Sequence, residues 1–398
     1  MLLSLAFIFL CGMLFGGIFE KLRLPPLLGM LFTGILLGPY VFDWLDPMLL
    51  SISADLRQIA LIIILTRAGL NLNVSDLKKV GRPAVLMCFL PASFEIAGML
   101  LLAPKLLGVS LLDAAILGTV IAAVSPAVVV PKMLKLMDEG YGVKQGIPQL
   151  IMAGASVDDV FVIVLFTSFT GLASGGAISP FDFVRVPTSI FLGMAVGVLC
   201  GLLLSQLFRM IHLRDSLKVL LLLSLSFLYV TLEDAIPGAI GFSGLLAVMS
   251  TGVMLQRGRS AVADRLSAKY SKLWVAAELL LFVLVGATVD IQYALASGLA
   301  AVALLFGVMG FRMLGVFVCL LGTKLQMRER LFCMLAYMPK ATVQAAIGSI
   351  PLSMGLSCGN IVLTVAVLAI LITAPLGAFA IDHTYRKLLS RDTHESPV

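Results

Sequence analysis

Two adjacent aspartates, Asp158 and Asp159, interrupt a long apolar run of the sequence. They fall about a dozen residues into that run, which at about 1.5 Å per helical residue places them near its middle. Carboxylates that lie side by side in a poorly solvated place repel each other, so one of them readily holds a proton or a small cation. Adjacent helical positions point about 100° apart, so the two acids do not face one spot equally. The pair predicts a proton- and cation-binding site, with a structural ion pair as the alternative.

Proline interrupts two further apolar runs near their middles, at Ser125-Pro126 and at Pro339-Lys340. A proline inside a helix removes one backbone N–H and frees carbonyl groups. The ends of the half-helices then carry partial charges, which are negative at C-termini and positive at N-termini. We expect Lys340 to offset the negative ends. The alternative is that these kinks serve packing alone. A functional role is favoured because both runs carry a proline near the middle, and because a lysine stands directly beside one of these prolines.

Single charges stand in other apolar runs, where each costs at least about 2.5–3.5 kcal/mol. Glu95 and Arg312 are the clearest examples. Because arginine keeps its charge in proteins, we expect Glu95 and Arg312 to form a structural ion pair, with a direct transport role as the alternative. Glu278 lies about one turn into its run and either belongs to the interior or reaches the interface. Arg67 is expected to extend to the membrane surface.

The composition predicts that helices crossing a membrane hold these residues. Hydrophobic residues make up 60% of the 398 residues and charged residues 13%, against about 45–50% and 25% in soluble proteins. The mean hydropathy is +1.08. A soluble chain of this size cannot bury so much apolar surface, so soluble, disordered and nucleic-acid-binding proteins are excluded. The apolar runs are continuous rather than alternating, which predicts an all-α polytopic fold.

About thirteen runs are long enough to cross a bilayer, which takes about 20 apolar residues. They centre on 1–19, 25–42, 56–72, 83–103, 111–131, 147–173, 186–208, 217–233, 237–255, 273–290, 295–321, 331–352 and 360–380. Of the 28 Lys and Arg residues, 22 fall in one set of loops, three in the opposite set and three within spans. This asymmetry predicts an N-terminus outside and a C-terminus in the cytoplasm. Thirteen spans divide into six, one linker and six, which predicts an inverted repeat.

Three stretches resemble the cation/proton antiporter superfamily, and the resemblance extends over nearly the whole chain. They are LGTVIAAVSPAVVVPKMLKLMDEGYGVKQGIPQLIMAGASVDDV, YMPKATVQAAIGSIPL and PPLLGMLFTGILLGP. The chain is most similar to the sodium/proton antiporters of the animal mitochondrial and plasma-membrane type, in a bacterial version. The resemblance implies inverted six-helix repeats with two crossed broken helices, in a homodimer embedded in membrane lipid. It also implies that a core domain moves against a dimerisation domain in an elevator-like cycle.

The resemblance also implies roles for segments and residues. Asp158 and Asp159 would bind Na⁺ or Li⁺ in exchange for protons, with Asp159 as the principal carrier and Asp158 assisting. The residues expected to support the broken helices are Ser125, Pro126, Pro339, Lys340, Thr342 and Gln344. The expected segments are scaffold and dimerisation helices at 1–82 and 216–293, core halves at 83–173 and 294–384, a linker helix at 174–215 and a cytoplasmic tail at 385–398.

We therefore expect a sodium or lithium/proton antiporter of the bacterial inner membrane, a secondary transporter rather than an enzyme. Protons and monovalent cations would compete for the same carboxylates, so no cofactor, nucleotide or nucleic acid is expected; the sequence has no phosphate-binding loop. The alternatives are a potassium/proton exchanger, which usually has an added nucleotide-binding domain, and an ion channel or sensor on the same scaffold. A channel would need a continuous polar stripe, whereas this chain has one isolated acidic site.

Arg312 also bears on the charge moved in each cycle. Better-studied bacterial relatives with two aspartates have a lysine in this span, and a buried lysine can give up a proton. Arginine does not, and a Glu95 paired with it stays ionised. The aspartates would then exchange one cation for one proton, which predicts electroneutral exchange.

Overall fold

The computed structural model describes residues 1–22, 24–72, 81–174, 180–235 and 242–391. In these ranges the chain is built from α-helices joined by turns, with one isolated bridge between Tyr141 and Arg391. The first nine helices are α1 (Leu2–Lys21), α2 (Pro26–Leu37), α3 (Pro47–Ser51), α4 (Ser53–Asn71), α5 (Arg82–Met87), α6 (Leu90–Leu107), α7 (Leu111–Ile121), α8 (Pro126–Glu139) and α9 (Ile147–Ser174). The remaining helices are α10 (Pro180–Met210), α11 (Asp215–Ala235), α12 (Gly244–Gly258), α13 (Ser260–Ala287), α14 (Ile291–Cys319), α15 (Met327–Ala336), α16 (Thr342–Ile347), α17 (Ile350–Ser353) and α18 (Gly359–Leu388).

Local sequence signals set several of the helix ends. At the start of α7, the Ser110 hydroxyl accepts a hydrogen bond from the Asp113 N–H at 3.1 Å, as an N-cap serine does. At the start of α15, the Glu329 carboxylate accepts from the Gln326 N–H at 2.8 Å, which completes a capping box. Gly140 ends α8 with φ of +76°, a left-handed conformation that glycine adopts at little cost.

The predicted spans can be compared with these helices one by one. Nine helical segments in the described part of the chain are long and apolar enough to cross a membrane. The prediction at 25–42 corresponds to the 12-residue helix α2, and the one at 331–352 to the interrupted α15, α16 and α17. Helix α4 is 19 residues long but contains Asp55, Arg57 and Arg67, which lower its hydropathy. The prediction at 237–255 lies partly outside the described residues, and the rest of it corresponds to α12. The number of spans therefore stays a prediction.

The chain clusters into two compact units. Unit 1 comprises 1–50, 76–162 and 282–398, and unit 2 comprises 51–75 and 163–281. The expected division into scaffold, core and linker segments refers to function and stays a prediction.

Unit 1 contains the candidate site. In it, α1 packs on α2, α6 packs along α14 and α7, and α18 packs against α7, α8 and α15 to α17. A cluster of buried apolar side chains, with Met133, Phe332 and Ile381 among them, lies between α5, α8, α9, α14, α15 and α18. In unit 2, α12 packs against α10, α4 and α11.

Candidate functional site

The candidate site is built where two broken helices meet. Helix α7 ends at Ile121 and α8 begins at Pro126, while α15 ends at Ala336 and α16 begins at Thr342. Proline cannot donate a backbone hydrogen bond and disfavours a helical conformation in the residue before it, which accounts for the extended Ser125. The two breaks are hydrogen-bonded to each other, because the Ser125 N–H donates to the Pro339 carbonyl at 2.8 Å.

Arg312 binds the free carbonyl groups at the C-terminal ends of both α7 and α15. Its Nε donates to the Tyr337 carbonyl at 2.8 Å, and its Nη1 donates to the Ala122 carbonyl. The Gln344 amide nitrogen adds hydrogen bonds to the carbonyls of Ile121 (3.1 Å) and Ala123 (3.0 Å). Arg312 is therefore the side chain that binds the free carbonyls at both negative helix ends, because the guanidinium has enough donors to reach both. The role expected for Lys340, to offset the same ends, stays a prediction.

Four buried charged side chains form one connected network. Arg312 Nη1 lies 2.9 Å from Glu95 Oε2, and Arg312 Nη2 lies 2.7 Å from Asp158 Oδ2. Lys340 Nζ lies 2.6 Å from the same Glu95 Oε2. We call Glu95, Asp158, Arg312 and Lys340 the four-residue ion network. The structure thus brings Glu95 and Arg312 together, but as part of a network rather than as the isolated pair that we expected.

The two adjacent aspartates have different surroundings. Asp158 is fully buried, and its Oδ2 accepts hydrogen bonds from Arg312 and from the Val124 N–H at 3.0 Å. Asp159 is 9% exposed, and none of the described residues donates a hydrogen bond to it or forms an ion pair with it. Such an unpaired buried carboxylate is rare in proteins.

Other buried oxygen atoms of the predicted site residues also lack hydrogen-bond donors within the described residues. These atoms are Glu95 Oε1, Ser125 Oγ, Asp158 Oδ1, Asp159 Oδ1, Thr342 Oγ1 and Gln344 Oε1. Oxygen atoms of carboxylates, hydroxyls and amides are the ligands that hard cations prefer. The predicted site residues thus carry oxygen atoms of the kind that a small cation or a proton can use.

Three residues at the second break were not singled out from the sequence. The Lys340 N–H, left free by the break, donates to Thr373 Oγ1 of α18 at 2.9 Å. Gly377, one turn further along α18, leaves room for the Pro339 ring, since a Cβ there would collide with it. Tyr337 is fully buried beneath Arg312. The sequence signals for these roles are a hydroxyl within an apolar run, at Thr373, and a tyrosine two residues before a proline, at Tyr337.

Glu278 and Arg67 belong to a different part of the chain from the four-residue ion network. Both are half-buried and lie in unit 2, Glu278 on α13 and Arg67 on α4, within electrostatic range of each other. The network and Asp159 lie in unit 1. The uncertain role given to Glu278 from the sequence stays a prediction.

Comparisons with known proteins identify relatives over almost the whole length. The family described as "Sodium/hydrogen exchanger, transmembrane" matches residues 5–387. Sodium/hydrogen exchanger 9B2 of Mus musculus is 34% identical, over 99% of this chain and 75% of its own length. Sodium/hydrogen exchanger 9B1 of Homo sapiens is 32% identical, over 100% of this chain and 80% of its own length.

Solved structures show the same fold. The sodium proton antiporter MjNhaP1 from Methanocaldococcus jannaschii matches with a TM-score of 0.82 over 96% of this chain and 99% of that chain, at 20% sequence identity. The all-α antiporter fold expected from the resemblance is therefore confirmed, while the inverted repeat stays a prediction.

The protein is thus a multi-pass membrane protein of the cation/proton exchanger class. The extent of the family match and the identity to its relatives show that the chain belongs to the sodium/hydrogen exchanger family. The resemblance found in the sequence is confirmed. Proteins of this class are transporters, and the reaction to be explained is the exchange of a cation for protons.

Proposed function

We propose that the chain exchanges sodium or lithium for protons, with Asp159 as the group that binds them in turn. The observation behind this proposal is the unpaired Asp159 carboxylate beside a network whose own charges cancel. Glu95 and Asp158 contribute two negative charges to the network, and Arg312 and Lys340 contribute two positive charges. The charge of Asp159 is the one that remains to be neutralised, by a proton or by a cation.

Asp158 assists Asp159 in this proposal. Arg312 and the Val124 N–H occupy its Oδ2, while its Oδ1 has no donor among the described residues. One carboxylate oxygen is thus held in place while the other is available as a ligand. Loss of Asp158 should therefore weaken cation binding more than it slows turnover.

The exchange is electroneutral in this proposal. Arg312 keeps its charge in any protein environment, and three hydrogen-bonded groups besides Asp158 surround it. Lys340 contacts Glu95 rather than an aspartate, so a cation arriving at Asp159 does not displace a partner of Lys340. One cation then replaces one proton at Asp159.

The transport cycle is proposed to be an elevator-like alternation of access in a homodimer of the bacterial inner membrane. This cycle is what the resemblance to the cation/proton antiporter superfamily implies. The bias of Lys and Arg towards one set of loops supports an external N-terminus and a cytoplasmic C-terminus.

A proteoliposome assay tests the proposed function. The purified protein is reconstituted with a pH-sensitive dye inside, and choline, sodium, lithium or potassium chloride is added to the outside. Sodium and lithium should each move protons out of the vesicles, whereas choline and potassium should not. A proton response to potassium alone would identify a potassium exchanger, and cation uptake without proton movement would identify a channel.

A further inference from the structure

Tyr337 contacts Arg312 in two independent ways. Its carbonyl accepts the hydrogen bond from Arg312 Nε at 2.8 Å. Its ring lies under the guanidinium, with the Arg312 Cζ 5.2 Å from the ring centroid, which is within the range of a cation–π interaction. The side chain is fully buried, so neither contact is weakened by solvent.

The position of Tyr337 follows from the break in the second broken helix. Tyr337 directly follows α15, and its carbonyl is one of the last carbonyls of that helix, which have no partner within the helix. The residues after it, Met338 and Pro339, do not continue the helix. The break therefore creates the acceptor that Arg312 uses.

Tyr337 also packs against α9, the helix that bears the two aspartates. Its hydroxyl donates to the Met87 carbonyl of α5 at 3.3 Å. It also lies against Gly154 of α9, where a Cβ would collide with the Tyr337 hydroxyl and lie 2.8 Å from Met87 Cβ. Gly154 is one helical turn before Asp158. Tyr337 thus touches both the guanidinium that binds Asp158 and the helix that presents Asp158.

We propose that Tyr337 is a positioning residue for cation binding: it holds Arg312 on Asp158 Oδ2 and so directs Asp158 Oδ1 towards the cation. This inference rests on the proposed exchange at Asp159. Tyr337 itself does not bind the ion. Its effect should therefore be on the apparent affinity for the cation rather than on the rate at saturation.

Two substitutions at Tyr337 distinguish the effect of its ring on the KM from the effect of its hydroxyl. Tyr337→Phe retains the ring and the backbone carbonyl and should leave the KM for sodium within about twofold of the wild type. Tyr337→Leu removes the ring beneath Arg312 and should raise the KM between about three- and thirtyfold, where the upper figure corresponds to loss of a whole buried cation–π contact, with kcat within about twofold. Both parameters are measured from sodium-driven proton movement in proteoliposomes.

Gly154→Ala tests the same position from the opposite side. The new methyl group collides with the Tyr337 hydroxyl, so this variant should also raise the KM. Adding Tyr337→Phe removes the colliding hydroxyl and should bring the KM part of the way back. If Gly154→Ala only destabilises the fold, its melting temperature should fall while the KM stays unchanged, which would contradict the positioning role.

Tyr270→Leu is the matched control. Tyr270 is also fully buried, but it lies in unit 2, where its hydroxyl donates to the Val219 carbonyl at 3.4 Å. This variant should lose thermal stability without a change in KM. An unchanged KM in Tyr337→Leu, or equal losses in Tyr337→Phe and Tyr337→Leu, would overturn the positioning role. If the wild type itself does not respond to sodium, the proposed function fails instead.

Discussion

At the residue scale, the two neighbouring aspartates differ because they point in different directions from one helix. Asp158 meets a guanidinium and a backbone N–H, and it is fully buried. Asp159, about 100° further round the helix, has no donor among the described residues. A carboxylate with fixed hydrogen-bond partners is suited to keeping its oxygen atoms in place. A carboxylate without such partners is suited to exchanging a proton for a cation.

The first prediction concerns the carrier. Asp159→Asn keeps the shape of the side chain but cannot exchange a proton for a cation, so sodium-driven proton movement should vanish. Asp158→Asn should raise the KM for sodium and retain measurable turnover. Asp382→Asn is the control, because Asp382 pairs with Lys132 in a partly exposed ion pair. Normal exchange by the Asp159 variant would refute the assignment of the site.

The second prediction concerns the four-residue ion network. Arg312→Ala strands Asp158 without a cation and should destabilise the detergent-solubilised protein by about 3–5 kcal/mol. Glu95→Ala leaves Arg312 paired with Asp158 but strands Lys340, whose contact within the network is Glu95, so this variant should also lose about 3–5 kcal/mol. The double variant should cost less than the sum, because the two residues touch.

Arg265→Ala provides the comparison for an exposed ion pair. Arg265 is half-exposed, and its Nε lies 2.9 Å from Asp215 Oδ2. Loss of this ion pair should therefore change the free energy of unfolding by only about 0–1 kcal/mol. Additive losses of melting temperature in the Glu95 and Arg312 variants would show that the network does not exist in the membrane-extracted protein.

At the element scale, helices α10 and α12 approach so closely that their backbones touch. A Cβ at Gly197 would lie 2.5 Å from the Ala247 carbonyl oxygen and 2.7 Å from Ser250 Cβ. Thr251 Oγ1 donates to the Gly197 carbonyl at 3.1 Å across the same contact. Small residues at such positions allow the van der Waals packing that holds membrane helices together.

The third prediction is that Gly197→Ala pushes α10 and α12 apart. The added methyl group has no space, so stability should fall by about 1–3 kcal/mol. Gly310→Ala in α14 is the control, because outside the backbone of α14 itself no atom of the described residues lies within 4 Å of the methyl group there. It should raise stability slightly, since alanine favours a helix over glycine by about 0.5–1 kcal/mol. Equal melting temperatures for the two variants would contradict the close contact.

At the scale of the whole molecule, the fourth prediction is that the membrane potential does not drive transport. One cation replaces one proton at Asp159, and no charge of the four-residue ion network changes. Sodium-driven pH change should therefore have the same rate at any potential set with potassium and valinomycin. A rate that depends steeply on that potential would mean that net charge moves, with Lys340 as the first candidate for a second titrating group.

The amino-acid sequence is enough to predict the class of protein and to locate the charged residues within its apolar runs. Continuous apolar runs of this length indicate membrane-spanning helices, because a helix satisfies its own backbone hydrogen bonds inside the lipid. Within those runs every charge is conspicuous, so Glu95, Asp158, Asp159, Arg312 and Lys340 could be found without a structure. The breaks could be located because proline changes the backbone locally, whatever surrounds it.

Only the tertiary structure decided which charges meet. Helices that are apolar on all sides have no polar face to indicate their neighbours, so helical periodicity does not specify which residue faces which. The sequence therefore predicted a Glu95–Arg312 pair but not that Arg312 also binds Asp158, nor that Lys340 contacts Glu95. The contact between Tyr337 and Arg312 joins residues from α14 and from the break after α15. It depends on how those helices pack, which no local pattern records.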